Sequence, residues 1–140
     1  MRRTAVILSI LLLAAACSTA NSQRPATIAP PQIDINPIGS VFFGSGASAP
    51  ITLEVQIGNP STTAIVVREI EISSPGMSQY AIRTVRRTVR ETIPAGNSTR
   101  LNVFTMAYTS VRDPTEPLTL RGIVTFEVGK TRWREIVMIQ

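Results

Sequence analysis

The sequence predicts an all-β protein: a single immunoglobulin- or fibronectin-like β-sandwich of about seven strands over residues 32–140, behind a signal peptide and a flexible tether. Three observations carry this. Beyond position 32, apolar side chains recur with period two, as in Ile51, Leu53, Val55 and Ile57, which is the spacing of one face of a strand. Clusters of Pro, Gly and Asn punctuate those runs at about strand-length intervals. No segment carries a strong helical period, apart from one ambiguous stretch at 79–92. Short strands without helices assemble as packed sheets.

The chain begins with a segment outside that domain. Arg2 and Arg3 give a positive start, Ala5 to Ala16 form a twelve-residue run without charge, and small residues precede Cys17. This is the layout of a secretory signal over residues 1–16, and it is too short to cross a bilayer, which needs about 20 apolar residues. Leu13-Ala14-Ala15-Ala16-Cys17 resembles the lipobox of bacterial lipoproteins. The resemblance implies that Cys17 becomes the lipidated first residue of the mature chain. Leu13 stands one place earlier than the usual leucine, and an ordinary secretory signal cut after Ala14-Ala15-Ala16 is the alternative. By the same resemblance, Ser18 after the cysteine points to the outer membrane, with the domain facing the periplasm. Arg2-Arg3 is followed by Thr4-Ala5-Val6, which lacks the rest of a twin-arginine pattern.

Residues 17–31 read CSTANSQRPATIAPP, polar and proline-bearing without an apolar period, and so predict an extended tether. The strands follow. Ile33 to Phe43 supplies one or two. Ile51 to Ile57 is the clearest, with Thr52, Glu54 and Gln56 on the wet face. Thr63 to Ser73 changes phase near Arg68, since Ile65 and Val67 fall on one parity and Ile70 and Ile72 on the other; a β-bulge reconciles them. In Gln79 to Thr92, Ile82, Val85 and Val89 have helical spacing while the threonines and valines favour a strand, and a bent strand is the reading preferred here. Ser98 to Thr109 contributes Leu101, Val103, Phe104 and Met106. Leu118 to Val128 points Leu118, Leu120, Gly122, Val124, Phe126 and Val128 one way. Thr131 to Gln140 closes the chain behind a tight Gly129-Lys130 hairpin, with Trp133, Ile136, Val137 and Ile139 as its apolar residues.

The segment ITLEVQIGNPSTTAIVVREIEI resembles the start of the late-embryogenesis-abundant type 2 domain, also called the water-stress and hypersensitive-response domain. In that family an alternating strand enters an Asn-Pro-Asn turn and then a second apolar strand. Here the turn is Asn59-Pro60-Ser61, so the final Asn is replaced. The Ile93-Pro94-Ala95-Gly96 turn is also similar. The resemblance implies a fibronectin-type sandwich with a stabilising or binding role, and it brings no catalytic residues.

Composition narrows the chemistry. The chain has one cysteine and no histidine, so with Cys17 committed to the lipid neither a Ser-His nor a Cys-His nucleophile can be assembled, and intrachain disulfides and nearly all transition-metal sites are excluded. No cofactor and no enzymatic activity is expected; an enzyme using Ser, Asp or Glu is the remote alternative. Glu69 and Glu71 lie at strand spacing and read as a solvated edge rather than an acid/base pair. Gly44-Ser45-Gly46-Ala47-Ser48-Ala49 fits a loose dinucleotide pattern, but Pro50 and an alternating run follow where that mechanism needs a helix N-terminus. Removing Arg2 and Arg3 leaves 12 basic against 9 acidic side chains, or +3, a mild excess. With aromatics at 5% there is little to stack on bases, and nucleic acid is not an expected partner. The candidate binding group is Arg83, Arg86, Arg87 and Arg90, a run of guanidiniums suited to phosphate- or carboxylate-bearing envelope polymers. The leading functional expectation is a lipid-anchored module that holds an envelope protein or polymer; a stress-protective domain acting broadly on other proteins is the alternative.

Overall fold

The computed structural model describes residues 23–43, 47–76, 78–111 and 115–140; Cys17 lies outside them. They form eight strands: β1 (Gln32–Pro37), β2 (Ser48–Gly58), β3 (Ile65–Ser73), β4 (Tyr80–Ile82), β5 (Val85–Ile93), β6 (Ser98–Thr109), β7 (Leu120–Val128) and β8 (Thr131–Ile139). Two four-stranded antiparallel sheets result, in the orders β1-β2-β6-β4 and β5-β3-β7-β8. The expected β-sandwich is the fold observed.

The core is the set of inward positions that alternation singles out. Leu53, Val55 and Ile57 of β2 face Ile65, Val67, Ile70 and Ile72 of β3, and Val103, Val124, Phe126 and Trp133 fill the space around them. Phe126 and Trp133 are cross-strand partners whose rings stack with centroids 5.5 Å apart, an aromatic pair that adds to burial. Gly122 sits on the inner face of β7, where an added Cβ would come within 2.4 Å of Ile35 Cδ1. The missing side chain lets β1 settle onto the opposite sheet. At the β7–β8 turn Gly129 takes φ +58°, as the first position of a tight II′-type hairpin requires.

The phase change in β3 is a bulge. Register with β7 jumps from Val67↔Phe126 to Glu69↔Thr125, so Arg68 is an extra residue, and both Val67 and Ile70 can point inward.

Two expectations change. The preferred bent strand over 79–92 is two strands, β4 in one sheet and β5 in the other, with Arg83 and Thr84 making the crossover; this raises the strand number from about seven to eight. Ile33 to Phe43 yields one strand, β1, of the one or two expected, and it ends at Pro37. Residues 24–31, expected to belong to the tether, pack onto the domain instead: Ile28 is 4% exposed and belongs to the core cluster, and Arg24 pairs with Glu135 of β8 at 2.7 Å. A single isoleucine among prolines carries no period, so composition hides its burial.

Candidate functional site

The crossover from one sheet to the other decides where the candidate arginines go. Arg83 stands in the crossover itself, with its backbone N–H donating to the Met106 carbonyl at 2.8 Å and its carbonyl accepting from Thr105 Oγ1 at 2.7 Å. Strand alternation then separates the rest. Arg86 lies on the outer face beside Glu71, to which its Nε donates at 2.9 Å, with Glu69 at 3.7 Å. The two glutamates read as a solvated edge are thus half-buried partners of one guanidinium. Arg87 has the opposite parity and crosses the open edge of the sandwich to donate to the Asn102 carbonyl of β6. Arg90 is exposed and makes no ion pair among the described residues. The run that looks like one binding group is divided among a crossover, an ion pair, a sheet edge and solvent.

Two other carboxylates of the second sheet are held by arginines. Glu127 of β7 accepts from Arg68 at 2.5 Å and from Arg132 of β8. The hydrogen bond from Arg68, then that from Arg132, hold its carboxyl far below the ordinary value, at about 2, because hydrogen bonds and positive charge favour the carboxylate. Glu135 accepts from Arg24 Nη1 at 2.7 Å and from Trp133 Nε1 at 3.1 Å, so it ties the incoming chain to the aromatic core.

Next to that tie the surface is concave. Gln23 and Arg24 together with Arg121, Ile123, Arg134 and Ile136 surround an open depression of about 590 Å³. Cross-strand register sets Ile123 against Ile136, Arg121 against Met138 and Thr125 against Arg134, so the outer face of β7 and β8 is a plot of guanidiniums and apolar side chains. Ile136 is 58% and Met138 55% exposed. Arg121 and Arg134 make no ion pair among the described residues. Sequence reasoning missed this group because its members lie on separate strands. One signal was present: in Thr131 to Ile139, alternation puts Arg132, Arg134, Ile136 and Met138 on the face opposite Trp133.

A second apolar surface lies on the outer face of the first sheet, where Phe104, 72% exposed, sits opposite Thr52, with Ile38 and Tyr108 also exposed. Among the described residues, no group of three or more His, Cys, Asp or Glu could hold a metal ion, and no helix is long and apolar enough to cross a membrane.

No protein-family model and no curated protein sequence matches the chain. Its backbone is similar to that of solved proteins. An X-ray structure of a Northeast Structural Genomics Consortium target has TM-score 0.52 at 10% identity, covering 79% of this chain and 83% of that one. A protein from Archaeoglobus fulgidus has TM-score 0.48 at 11% identity, covering 77% and 93%. A FixG-related protein from Vibrio parahaemolyticus has TM-score 0.37 at 11% identity, covering 80% and 96%. At such identities the likeness is one of fold, and the first of the three supports the sandwich.

Proposed function

We propose that this protein is a non-enzymatic lipoprotein of the bacterial envelope, held by acyl chains at Cys17, whose β-sandwich serves as a binding or structural module on the periplasmic side of the outer membrane. The observation that carries the reading is the arrangement of the chain's front. A charged start, an apolar run too short to span and a cysteine preceded by alanines are followed within a few residues by a packed domain, whose Arg24 already contacts β8. An acylated cysteine so close to a folded body holds that body at the membrane surface. A chain without histidine, with Glu71, Glu127 and Glu135 each engaged by an arginine, supports a module that binds rather than reacts.

Mass spectrometry of the mature N-terminus after expression in a diderm bacterium, with sucrose-gradient separation of the membranes, tests this. The expected result is a triacylated Cys17 in the outer-membrane fraction. An unmodified chain in the soluble periplasm would overturn it.

A second reading, stress protection of other proteins, draws on the likeness to the late-embryogenesis-abundant type 2 domain. One observation favours it: the two motifs that carry the likeness meet in space. Asn59 donates through Nδ2 to the carbonyls of Ile93 and Pro94 at 3.0 and 3.2 Å, and the Gly96 N–H donates to the Asn59 carbonyl at 2.9 Å. The reading predicts that the protein preserves the activity of a labile test enzyme through drying; failure to do so at equal mass with a neutral control protein would reject it.

A further inference from the structure

We infer that the outer face of β7 and β8, centred on Arg121 and Arg134, is a docking surface for the anionic headgroups of the membrane that holds Cys17. The inference rests on the lipid anchor proposed above and specifies what that anchor presents to the bilayer. Position is the first argument. The chain enters the domain beside β8, where Arg24 pairs with Glu135 and Gln23 lines the same depression as Arg121 and Arg134. Six peptide steps separate Cys17 from Gln23, a reach of at most about 22 Å even when fully extended. The acyl chains therefore enter the bilayer within that distance of the depression. The apolar surface around Phe104 belongs to the other sheet and faces away across the core.

Charge is the second argument. Arg24, Arg68, Arg86 and Arg132 are each held by a carboxylate; Arg121 and Arg134, like Arg83, Arg87, Arg90, Arg100 and Lys130, have no ion-pair partner among the described residues, but of these only Arg121 and Arg134 line the depression beside the incoming chain. A guanidinium presents paired N–H donors that match a phosphate. Ile136 and Met138, more than half exposed on the same face, suit the boundary where headgroups meet acyl chains. Cationic and apolar side chains sharing one face are the composition of an interfacial surface, and no acidic side chain of β7 or β8 stands free among them, since Glu127 and Glu135 are both paired.

The test uses the full lipidated chain in vesicles of phosphatidylglycerol and phosphatidylethanolamine doped with a headgroup nitroxide lipid. With Cys17 acylated, a fluorophore attaches only to an introduced thiol, at Met138→Cys on the proposed face or Phe104→Cys on the opposite sheet. Stronger quenching at position 138 than at 104 is expected. It should fall to the level of 104 in phosphatidylcholine vesicles, in high salt, or in the Arg121→Ala/Arg134→Ala double variant, where losing two surface arginines lowers the docked-to-undocked ratio about thirtyfold. Circular dichroism of the double variant, whose replaced side chains are exposed, checks that the fold is kept. A chain that floats with vesicles in high salt yet shows equal quenching at both positions, or more at 104, overturns the docking face alone. A chain that does not float in high salt overturns the anchor, and the docking face with it.

Discussion

A buried side-chain amide shows most directly how one residue holds distant parts of this chain together. Asn59 is 1% exposed; its Nδ2 donates to the carbonyls of Thr63, Ile93 and Pro94, and its Oδ1 accepts from the backbone N–H and hydroxyl of Ser61. It thereby joins the β2–β3 connection to the β5–β6 turn where two ladders end, at Gly58 opposite Ser98 in one sheet and Ile65 opposite Ile93 in the other. Replacing it with alanine takes the amide donor from the Ile93 carbonyl and the acceptor from the buried Ser61 N–H, while the Thr63 and Pro94 carbonyls keep Ser61 Oγ and the Asn97 N–H; an unsatisfied buried group costs about 1–3 kcal/mol. Asn59→Ala should therefore lower unfolding free energy by about 3 kcal/mol in urea, whereas Asn97→Ala, at an exposed turn position, should stay within about 0.5 kcal/mol of the parent. The sequence shows that an Asn-Pro-Ser turn exists at this place. Which carbonyls the amide would reach depends on the packing of two loops more than thirty positions apart, and no local pattern contains that.

Strands explain both the best and the worst of the sequence reading. In β3 the parity switch from Ile65 and Val67 to Ile70 and Ile72 can only be a bulge if both pairs are buried, and so Arg68 was legible as the extra residue. In β5 the inward parity is Val85, Arg87, Val89, Glu91 and Ile93. Two of these positions are charged because β5 is an edge: Arg87 reaches the Asn102 carbonyl and Glu91 accepts from Thr99 Oγ1 at 3.4 Å, inward-pointing charges that close an exposed edge. Those charges break the alternation, leave Val85 and Val89 at helical spacing, and make an edge device look like part of an arginine binding group. In β7, Gly122→Ala should destabilise by about 1–2 kcal/mol in chemical denaturation, because its Cβ would overlap Ile35, which is fully buried, and press on Val137. Glu127 joins β3, β7 and β8, and its carboxyl sits at about 2 against an ordinary 4.5. A depressed folded-state value means that its stabilising contribution is complete above the ordinary value and is lost as pH falls toward the folded one. Melting temperatures of the parent and Glu127→Gln should therefore differ near neutral pH and converge as the pH drops from about 4.5 to about 2. A gap that persists at the acid end would show that ionisation of Glu127 is not what the variant removes.

At the scale of the molecule, the point at which the folded domain begins is what the sequence conceals and the structure supplies. Alternation locates strands from position 32 onward, but it says nothing about a chain that packs without being a strand. Residues 24–31 do so: the Ile28 N–H donates to the Pro25 carbonyl at 2.9 Å, turning the chain so that Ile28 enters the core, while Arg24 holds Glu135. The arginines of β7 and β8 escaped notice for a related reason, since only the pairing of two strands and the path of the incoming chain bring them beside Arg24. If residues 24–31 belong to the folded body, removing the Ile28 side chain must be felt by the whole cooperative unit. Ile28→Ala should lower global stability by about 2–4 kcal/mol, as for other large-to-small replacements in a core. Arg24→Ala removes a half-exposed ion pair, and its direct effect should stay below about 1 kcal/mol. Amide hydrogen exchange separates the two cases. In the Ile28 variant, protection should fall in the core strands as well as in the segment, because the cavity opens onto the shared core. In the Arg24 variant the loss should be confined to the segment and to β8. An Ile28 variant as stable as the parent would place the domain boundary back at residue 32, lengthen the tether, and remove the geometric reason for the β8 side to face the membrane.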